Sequence, residues 1–405
     1  MTKPRVVIAG GGIAGLEALL ALHDLAGDRV ELTLAAPEPD FTYKPLTVEE
    51  PFTMQPAEHR ELRPVAEEMG AGFVQAAVTA VDPDAHRLEL AGGGAIGYDL
   101  ALLCVGARSL PAFSAAITFR ASGETLELGR ILIEEPGAGR LAFVVPPGNT
   151  WPLPLYELAL MTQRRAHYLG LRDLELVIVT PEEAPLLVFG TAPSAAVSEV
   201  LRARGIEVRC GTRVREEESG ALTLHPGGEL LEASHVVSLP LLEGPAIPGA
   251  PADEGGFVPI DEHARVPGAD DLYAAGDCTN FPVKQGGLGT QQADAAAEHI
   301  AARVGAGLDP EPFKPVLRGM LIVGAESKSM EHSLRGGAGE GETSNDYLWW
   351  PPHKVSGRYL AAWLADETVH TDPEPPSRPL EVEVALPHEW HREPMALDPL
   401  GPLPG

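Results

Sequence analysis

The chain has 405 residues, enough at ~100–200 residues per domain for two to four domains with sizeable cores. Apolar residues make up 44% and charged residues 22%, which excludes global disorder. The 58 acids against 30 bases give a formal net charge of -28, which works against nucleic acid and against docking on an anionic bilayer through a basic patch.

In chain order, Val6-Val7-Ile8-Ala9 reads as a short buried strand, Ala14 to Leu25 as a helix and Val30 to Ala35 as a second strand. Strand, Gly-rich turn, helix and strand make a βαβ unit feeding a parallel sheet. Tyr98 to Val105 is a further apolar run of strand length. A second α/β unit follows, with strands at Leu141 to Val145, Leu174 to Val179 and Ile206 to Cys210. Its helices are expected at Leu155 to Tyr168 and Pro193 to Arg204. A Pro- and Gly-dense return from Gly244 to Gly256 leads to Asp271-Leu272-Tyr273-Ala274-Ala275-Gly276-Asp277. Thr290 to Val304 is then a helix with Ala293, Ala296, Ala297, Ile300, Ala301 and Val304 on one face. Beyond Asp309 the pattern is less regular, and the last forty or so residues read as a Pro- and Glu-rich wrapping tail. The expected class is α/β: a Rossmann-like dinucleotide-binding domain in two parts (1–112 and 243–308), interrupted by a second dinucleotide-type domain (113–242), plus a C-terminal domain (309–405).

The three cysteines, Cys104, Cys210 and Cys278, have neither CxxC nor zinc spacing, and the 13 histidines form no ligand pattern, so no metal site is expected. No signal peptide fits the start of the chain, because Arg5-Val6-Val7-Ile8 opens a strand without a preceding charged and apolar region. The longest uncharged stretch, Leu141 to Tyr156, carries four prolines and falls short of the ~18–20 apolar residues of a spanning helix. The expectation is a soluble, cytoplasmic protein without a transmembrane segment.

Gly10-x-Gly12-x-x-Gly15 carries the chemistry of the first unit. Gly10 permits the tight turn, Gly12 lets the backbone approach a pyrophosphate and Gly15 lets helix and strand pack closely. Ala14 lies in the first turn of the helix, whose N-terminus faces the negative charge. The acid expected ~20 residues later for the ribose hydroxyls is Glu38, beyond Ala35-Ala36-Pro37.

With Tyr273-Ala274-Ala275-Gly276-Asp277-Cys278 the chain resembles the FAD-dependent pyridine nucleotide–disulfide oxidoreductase superfamily. Three ordered elements carry the resemblance: the Gly-rich turn, Leu100-Ala101-Leu102-Leu103-Cys104-Val105-Gly106-Ala107, and Gly276-Asp277. The resemblance implies that Asp277 binds the ribityl chain near the pyrophosphate. Within the superfamily, the resemblance is to sulfide:quinone oxidoreductases, flavocytochrome sulfide dehydrogenases and type II NADH dehydrogenases. Phe41-Thr42-Tyr43-Lys44-Pro45-Leu46 looks like their segment beside the isoalloxazine, and Val283-Lys284-Gln285-Gly286-Gly287-Leu288 like their segment under its pyrimidine end. Lys44, Val78, Gly106, Gly286, Gly287 and Leu288 join the implied cofactor contacts. Lys284 and the helix expected near Thr290 would stabilise negative charge on the reduced ring; a surface lysine is the plainer alternative.

The family pattern breaks in two places. No cysteine pair is spaced to stack on a flavin, and Val145-Pro146-Pro147-Gly148-Asn149-Thr150-Trp151-Pro152 has Trp151 where the sulfide enzymes carry a cysteine. Prolines 146, 147, 152 and 154 lack the N–H donors of a second pyrophosphate cradle, although Glu182 could mimic a ribose acid. The aromatic cluster Tyr347, Trp349, Trp350, Tyr359 and Trp363 is read as a core or homodimer contact before a quinone or membrane site. The expected function is two-electron transfer from a small donor through FAD to a quinone or another acceptor, without catalytic cysteines. An NAD(P)H-dependent reductase and a flavin-holding sensor without turnover are the alternatives.

Overall fold

Two five-stranded parallel sheets organise the chain in the computed structural model, which describes residues 2–53, 59–120, 126–135, 139–148, 151–323, 327–333, 341–344, 348–349 and 353–368. β1 (Arg5–Ala9) passes through the glycine turn into α1 (Ile13–Ala26) and then β2 (Glu31–Ala36). β3 (Gly72–Gln75) and β4 (Leu100–Leu103) join the same sheet. β5 (Arg108–Leu110) leads out to β6 (Ile117–Thr118), β7 (Arg140–Val144), α2 (Leu153–Leu169) and β8 (Glu175–Val179). α3 (Thr191–Ala203), β9 (Glu207–Arg209) and β10 (His235–Ser238) finish the second fold. β11 (Leu241–Glu243) returns antiparallel to β5, so the two crossings between the folds form one ribbon. β12 (Leu272–Ala274) and α4 (Gly286–Arg303) complete the first fold. β13 (Val316–Ile322), β14 (Ser327–Ser333) and β15 (Glu342–Ser344) make an antiparallel sheet, and α5 (Leu360–Thr368) comes last.

The first sheet runs β12-β4-β1-β2-β3 and the second β6-β10-β7-β8-β9. In each, the strand feeding the first crossover helix sits between neighbours on both sides. That arrangement opens a crevice at the carboxyl ends of the strands, where open α/β sheets bind ligands. The continuous apolar runs follow from burial on both faces: Val6 to Ala9, Leu100 to Leu103 and Leu141 to Val144 are buried throughout. Each sheet has its own core, one spanning β1, α1 and α4, the other β7, β8 and α2.

Several boundaries differ from the sequence expectation. The long helix begins at Gly286, four residues before Thr290, with two further glycines in its first turn at Gly287 and Gly289. Neighbours explain them: a Cβ at Gly286 would meet Ile13 and Val355 at 3.1 Å, and one at Gly289 would meet the Gly276 backbone at 3.1 Å. The Gln285 side chain caps this end, accepting from Leu288 N at 2.8 Å. The strand expected over Tyr98 to Val105 pairs only as Leu100–Leu103, and Gly106 then turns with φ +73. A small antiparallel sheet at Val78–Asp82, Arg87–Leu90 and Ala95–Gly97, and the β13–β15 sheet, stand where the sequence reading sets no elements. The last helix runs over Leu360–Thr368.

Of the aromatic cluster, Tyr359 and Trp363 pack against the first core, and the Arg60 guanidinium lies 5.0 Å over the Trp363 ring. Buried Trp349 donates its indole N–H to His353 O at 2.9 Å. Tyr347, Trp350 and almost all of the expected tail lie outside the described residues. Among the described residues no helix is long and apolar enough to cross a membrane.

Candidate functional site

Two glycines of the turn are required by close backbone contacts. Gly10 has φ +117, and a Cβ there would fall 2.2 Å from Cys104 O. At Gly15 a Cβ would fall 1.8 Å from Gly10 O, so the close approach of α1 to the turn needs glycine. Gly12 differs: its backbone is extended and a Cβ would meet nothing within 4 Å. Gly12 is the N-cap of α1 and no side chain caps that end, so the first-turn N–H groups face the cavity that Gly12, Ile13 and Ala14 line.

This cavity, about 380 Å³, reaches from α1 to the edge of the second fold. Thr42, Lys44 and Pro45 line one side, Cys104 to Ala107 another, and Gly276, Asp277, Lys284, Gln285, Gly286 and Gly289 a third. The N-termini of α1 and α4 therefore converge on it. Burial pushes the Asp277 carboxyl up, while Lys284 and Lys44 pull it back. Lys284 donates to Thr279 O, and its ammonium lies 3.8 Å from the centroid of the Phe257 ring. Burial lowers that ammonium to about 8, against the raising effect of Asp277.

The cavity brings together Gly12, Ala14, Lys44, Gly106, Gly276, Asp277, Lys284 and Gly286 of the expected cofactor residues. Gly10 and Gly15 shape the turn behind it, and Gly287 and Leu288 build the first turn of α4. Glu38 and Val78 do not line it. Glu38 is exposed after the end of β2, and half-buried Val78 follows the end of β3, the neighbouring strand.

A buried ion pair that the sequence reading missed closes the cavity from the C-terminal side. Lys354 Nζ donates to Glu157 Oε2 at 2.7 Å and to Pro45 O at 2.9 Å, and Ile322 N donates to Glu157 Oε1 at 2.8 Å. Both residues line the cavity. Burial pushes the Glu157 carboxyl up and Lys354 offsets part of that shift. The available signal was a glutamate in the otherwise apolar Leu153 to Met161 face of α2. Val355 N donates to Tyr43 Oη at 2.9 Å, while Tyr359 N and Leu360 N donate to buried Glu17 of α1 at 2.8 and 2.7 Å. The segment carrying Lys354 is thus fastened to both folds.

In the second fold, the residue expected to hold a ribose is already engaged. Glu182 Oε2 accepts from Tyr156 Oη at 2.7 Å and Thr180 Oγ1 at 2.8 Å. Burial raises its carboxyl to about 7, although both hydroxyls work against the rise. The folded chain therefore holds a proton that the unfolded chain releases above pH 4.5. This contribution to stability is complete below 4.5 and is lost as pH rises to about 7. Glu182→Gln is expected to gain on the wild type by about 2–3 kcal/mol between roughly pH 5 and pH 8, read from urea unfolding at both values. An unchanged difference would mean that Glu182 is ionised in the folded protein.

Burial works against thiolate formation at all three cysteines. Cys104 and Cys278 are buried, burial raises both, and Cys278 reaches about 12 while donating to Leu103 O and Ala275 O. Cys210, half-buried beyond the edge strand β9, is also raised by burial. Among the described residues no group of His, Cys, Asp or Glu is arranged to hold a metal.

Fold and cradle together define a protein with two dinucleotide-type folds sharing one cavity. The family description of the pyridine nucleotide-disulphide oxidoreductases matches residues 156–299. The chain is 26% identical to rhodocoxin reductase of Rhodococcus erythropolis over 306 residues, 69% of this chain and 65% of that protein, short of two thirds of its length. An NADH dehydrogenase-like protein of Mycobacterium tuberculosis is also 26% identical, over 67% of this chain and 72% of its own. In fold, the chain is similar to the sulfide:quinone oxidoreductase of Aquifex aeolicus, with TM-score 0.77, 20% identity and coverage of 85% and 87%. Putidaredoxin reductase in its complex with putidaredoxin gives TM-score 0.61 at 18% identity, covering 83% of each chain.

Proposed function

We propose that this protein is an FAD-dependent oxidoreductase that passes two electrons from a small donor to a quinone or another acceptor without using a cysteine. The observation that carries this reading is the convergence of two helix N-termini and Asp277 on one cavity at the carboxyl ends of the first sheet. Uncapped N–H groups at α1 and the open space at Gly12 suit a pyrophosphate. Asp277 suits the hydroxyls of a ribityl chain, as an acceptor from them. When bound, FAD would supply the two-electron store. Lys284 and the start of α4 place positive potential at their end of the cavity. Glu157, Lys354 and the segment to Leu360 exclude water on one side and hold the two folds in register.

The test is direct. Purified protein is expected to be yellow and to release FAD rather than FMN on denaturation. Anaerobic addition of a competent donor is expected to bleach the visible band, which separates an enzyme from a flavin-holding sensor. Protein that takes up no flavin on reconstitution overturns the reading.

With two thiols buried, Cys210 half-buried and all three raised, Cys104→Ala, Cys210→Ala and Cys278→Ala are expected to keep turnover within about twofold of the wild type. A tenfold or greater loss in any one, roughly beyond what repacking explains, with flavin still bound, would return a thiol to the mechanism. An NAD(P)H-driven reductase is the second reading, favoured by likeness to an NADH dehydrogenase-like protein. The engagement of Glu182 weighs against it.

A further inference from the structure

Away from the cavity, a pair of carboxyl groups meets between α1 and α4, which pack along each other. Glu17 on α1 is fully buried, and Asp294 on α4 is half-buried. The segment after Lys354 passes over this junction. A Cβ at Gly357 would collide with Glu17 Oε2 and lie 3.0 Å from Thr290 Cγ2 of α4. Just beyond, Tyr359 N donates to Glu17 Oε1 at 2.8 Å and Leu360 N to Oε2 at 2.7 Å. Leu360 opens α5, so a side chain from α1 caps this helix from outside its own segment. An ionised Glu17 suits that role, because the N–H groups and the helix dipole both favour negative charge.

Asp294 has the opposite requirement. Its carboxyl is in hydrogen-bonding contact with Glu17, and its Oδ1 is buried without a hydrogen-bond partner among the described residues. Two ionised carboxylates only accept, so the contact is attractive when one proton lies between them. Burial pushes the Asp294 carboxyl well above its ordinary range, and the Glu17 charge pushes it further. Burial also raises Glu17, against the pull of the Tyr359, Leu360 and Arg358 N–H groups and of Asp294. The proton therefore belongs on Asp294. The surrounding groups leave that assignment in place. Glu298 on α4 adds negative charge, and Asp24 on α1 faces Tyr359 Oη at 3.5 Å. Arg358 is mostly exposed and engaged by Glu298 at 3.1 Å. Burial raises the Tyr359 hydroxyl to about 12, so it stays neutral.

We propose that Glu17 and Asp294 form a pH-sensitive latch on α5. Protonated Asp294 holds ionised Glu17 against the N-terminus of the helix, and loss of that proton at alkaline pH undocks the helix. A carboxyl raised in the folded chain gives stability that is complete below its ordinary value of 3.8 and is lost as pH rises. Ionisation of Asp294 puts two negative charges in contact inside the fold and drives Glu17 off the N–H groups. Lys354 keeps its own bonds to Glu157 and Pro45, so the opening is confined to the chain from Gly357 onward.

The experiment is hydrogen–deuterium exchange of the full-length protein, with protection factors compared at about pH 6 and about pH 9. Peptides covering Gly357 to Thr368 are expected to lose about tenfold or more in protection, since each unit of raised pKa is worth tenfold. Peptides from β1 are expected to lose less. Asp294→Asn keeps a donor to Glu17 without the charge, and its α5 protection is expected to change by less than about twofold over the same range. Glu17→Gln is expected to weaken α5 at both values and to abolish the pH dependence. Wild-type protection of α5 that is the same at both values overturns the proposal. So does a loss shared equally by β1, which reports unfolding of the whole fold, or an Asp294→Asn protein that keeps the wild-type loss. Exchange is read with or without flavin, so this outcome is separate from that of the oxidoreductase reading.

Discussion

Gly12→Leu is expected to yield a folded protein that purifies without flavin. The backbone at Gly12 is extended, and a Cβ there meets nothing within 4 Å, so a leucine is accommodated by the fold and fills the space in front of α1 instead. It blocks the approach of a pyrophosphate to the first-turn N–H groups. Losing two charge-assisted bonds of ~1.5–3 kcal/mol each weakens binding by a hundredfold or more. The control is Gly15→Ala. There the added carbon falls 1.8 Å from Gly10 O, so the turn itself must move and folding is damaged. Circular dichroism and thermal melting of the flavin-free forms separate the two. A yellow Gly12→Leu protein with wild-type flavin content would show that the cofactor phosphates lie elsewhere.

NADH and NADPH at sub-millimolar concentrations are expected to reduce the bound flavin slowly or not at all. The cradle of the second fold is altered in two independent ways. Pro152 is the N-cap of α2 and Pro154 sits within its first turn, while Pro146 and Pro147 follow β7, so this end offers few N–H donors to a phosphate. Glu182, at the position of a ribose acid, is half-buried and engaged by Tyr156 and Thr180. Two lost phosphate donors cost roughly a hundredfold in affinity, and breaking the Glu182 contacts to reach a ribose costs more. Stopped-flow mixing of oxidised protein with each nucleotide reads this out. Rapid, saturable bleaching would place the NAD(P)H-driven reductase first. Tyr156→Phe then offers a second reading: it frees one Glu182 bond, so any slow nicotinamide reduction is expected to quicken.

The second sheet has the dinucleotide topology, with β7 between β10 and β8. Trp151, Phe119 and Leu239 line the cavity from this fold. Topology by itself does not set the ligand, since one fold hosts many chemistries.

The sequence by itself determined the two sheets and the cofactor turn. Both signals are local. A strand buried on both faces must be continuously apolar, as Val6 to Ala9 and Leu141 to Val144 are, and a helix that starts on a phosphate needs small residues at fixed spacing, as at Gly10, Gly12 and Gly15. Tertiary structure alone decided the start of α4. Local propensity ends a helix at glycines, yet Gly286 and Gly289 lie within this one because Ile13, Val355 and the Gly276 backbone leave no room for a side chain. It also decided that Glu182 turns inward and that Glu157 pairs with Lys354, 197 positions further along the chain. The sequence marks Glu157 only as a glutamate on an apolar face and names no partner, because a carboxylate takes the partner that folding brings to it, and burial makes that partner obligatory.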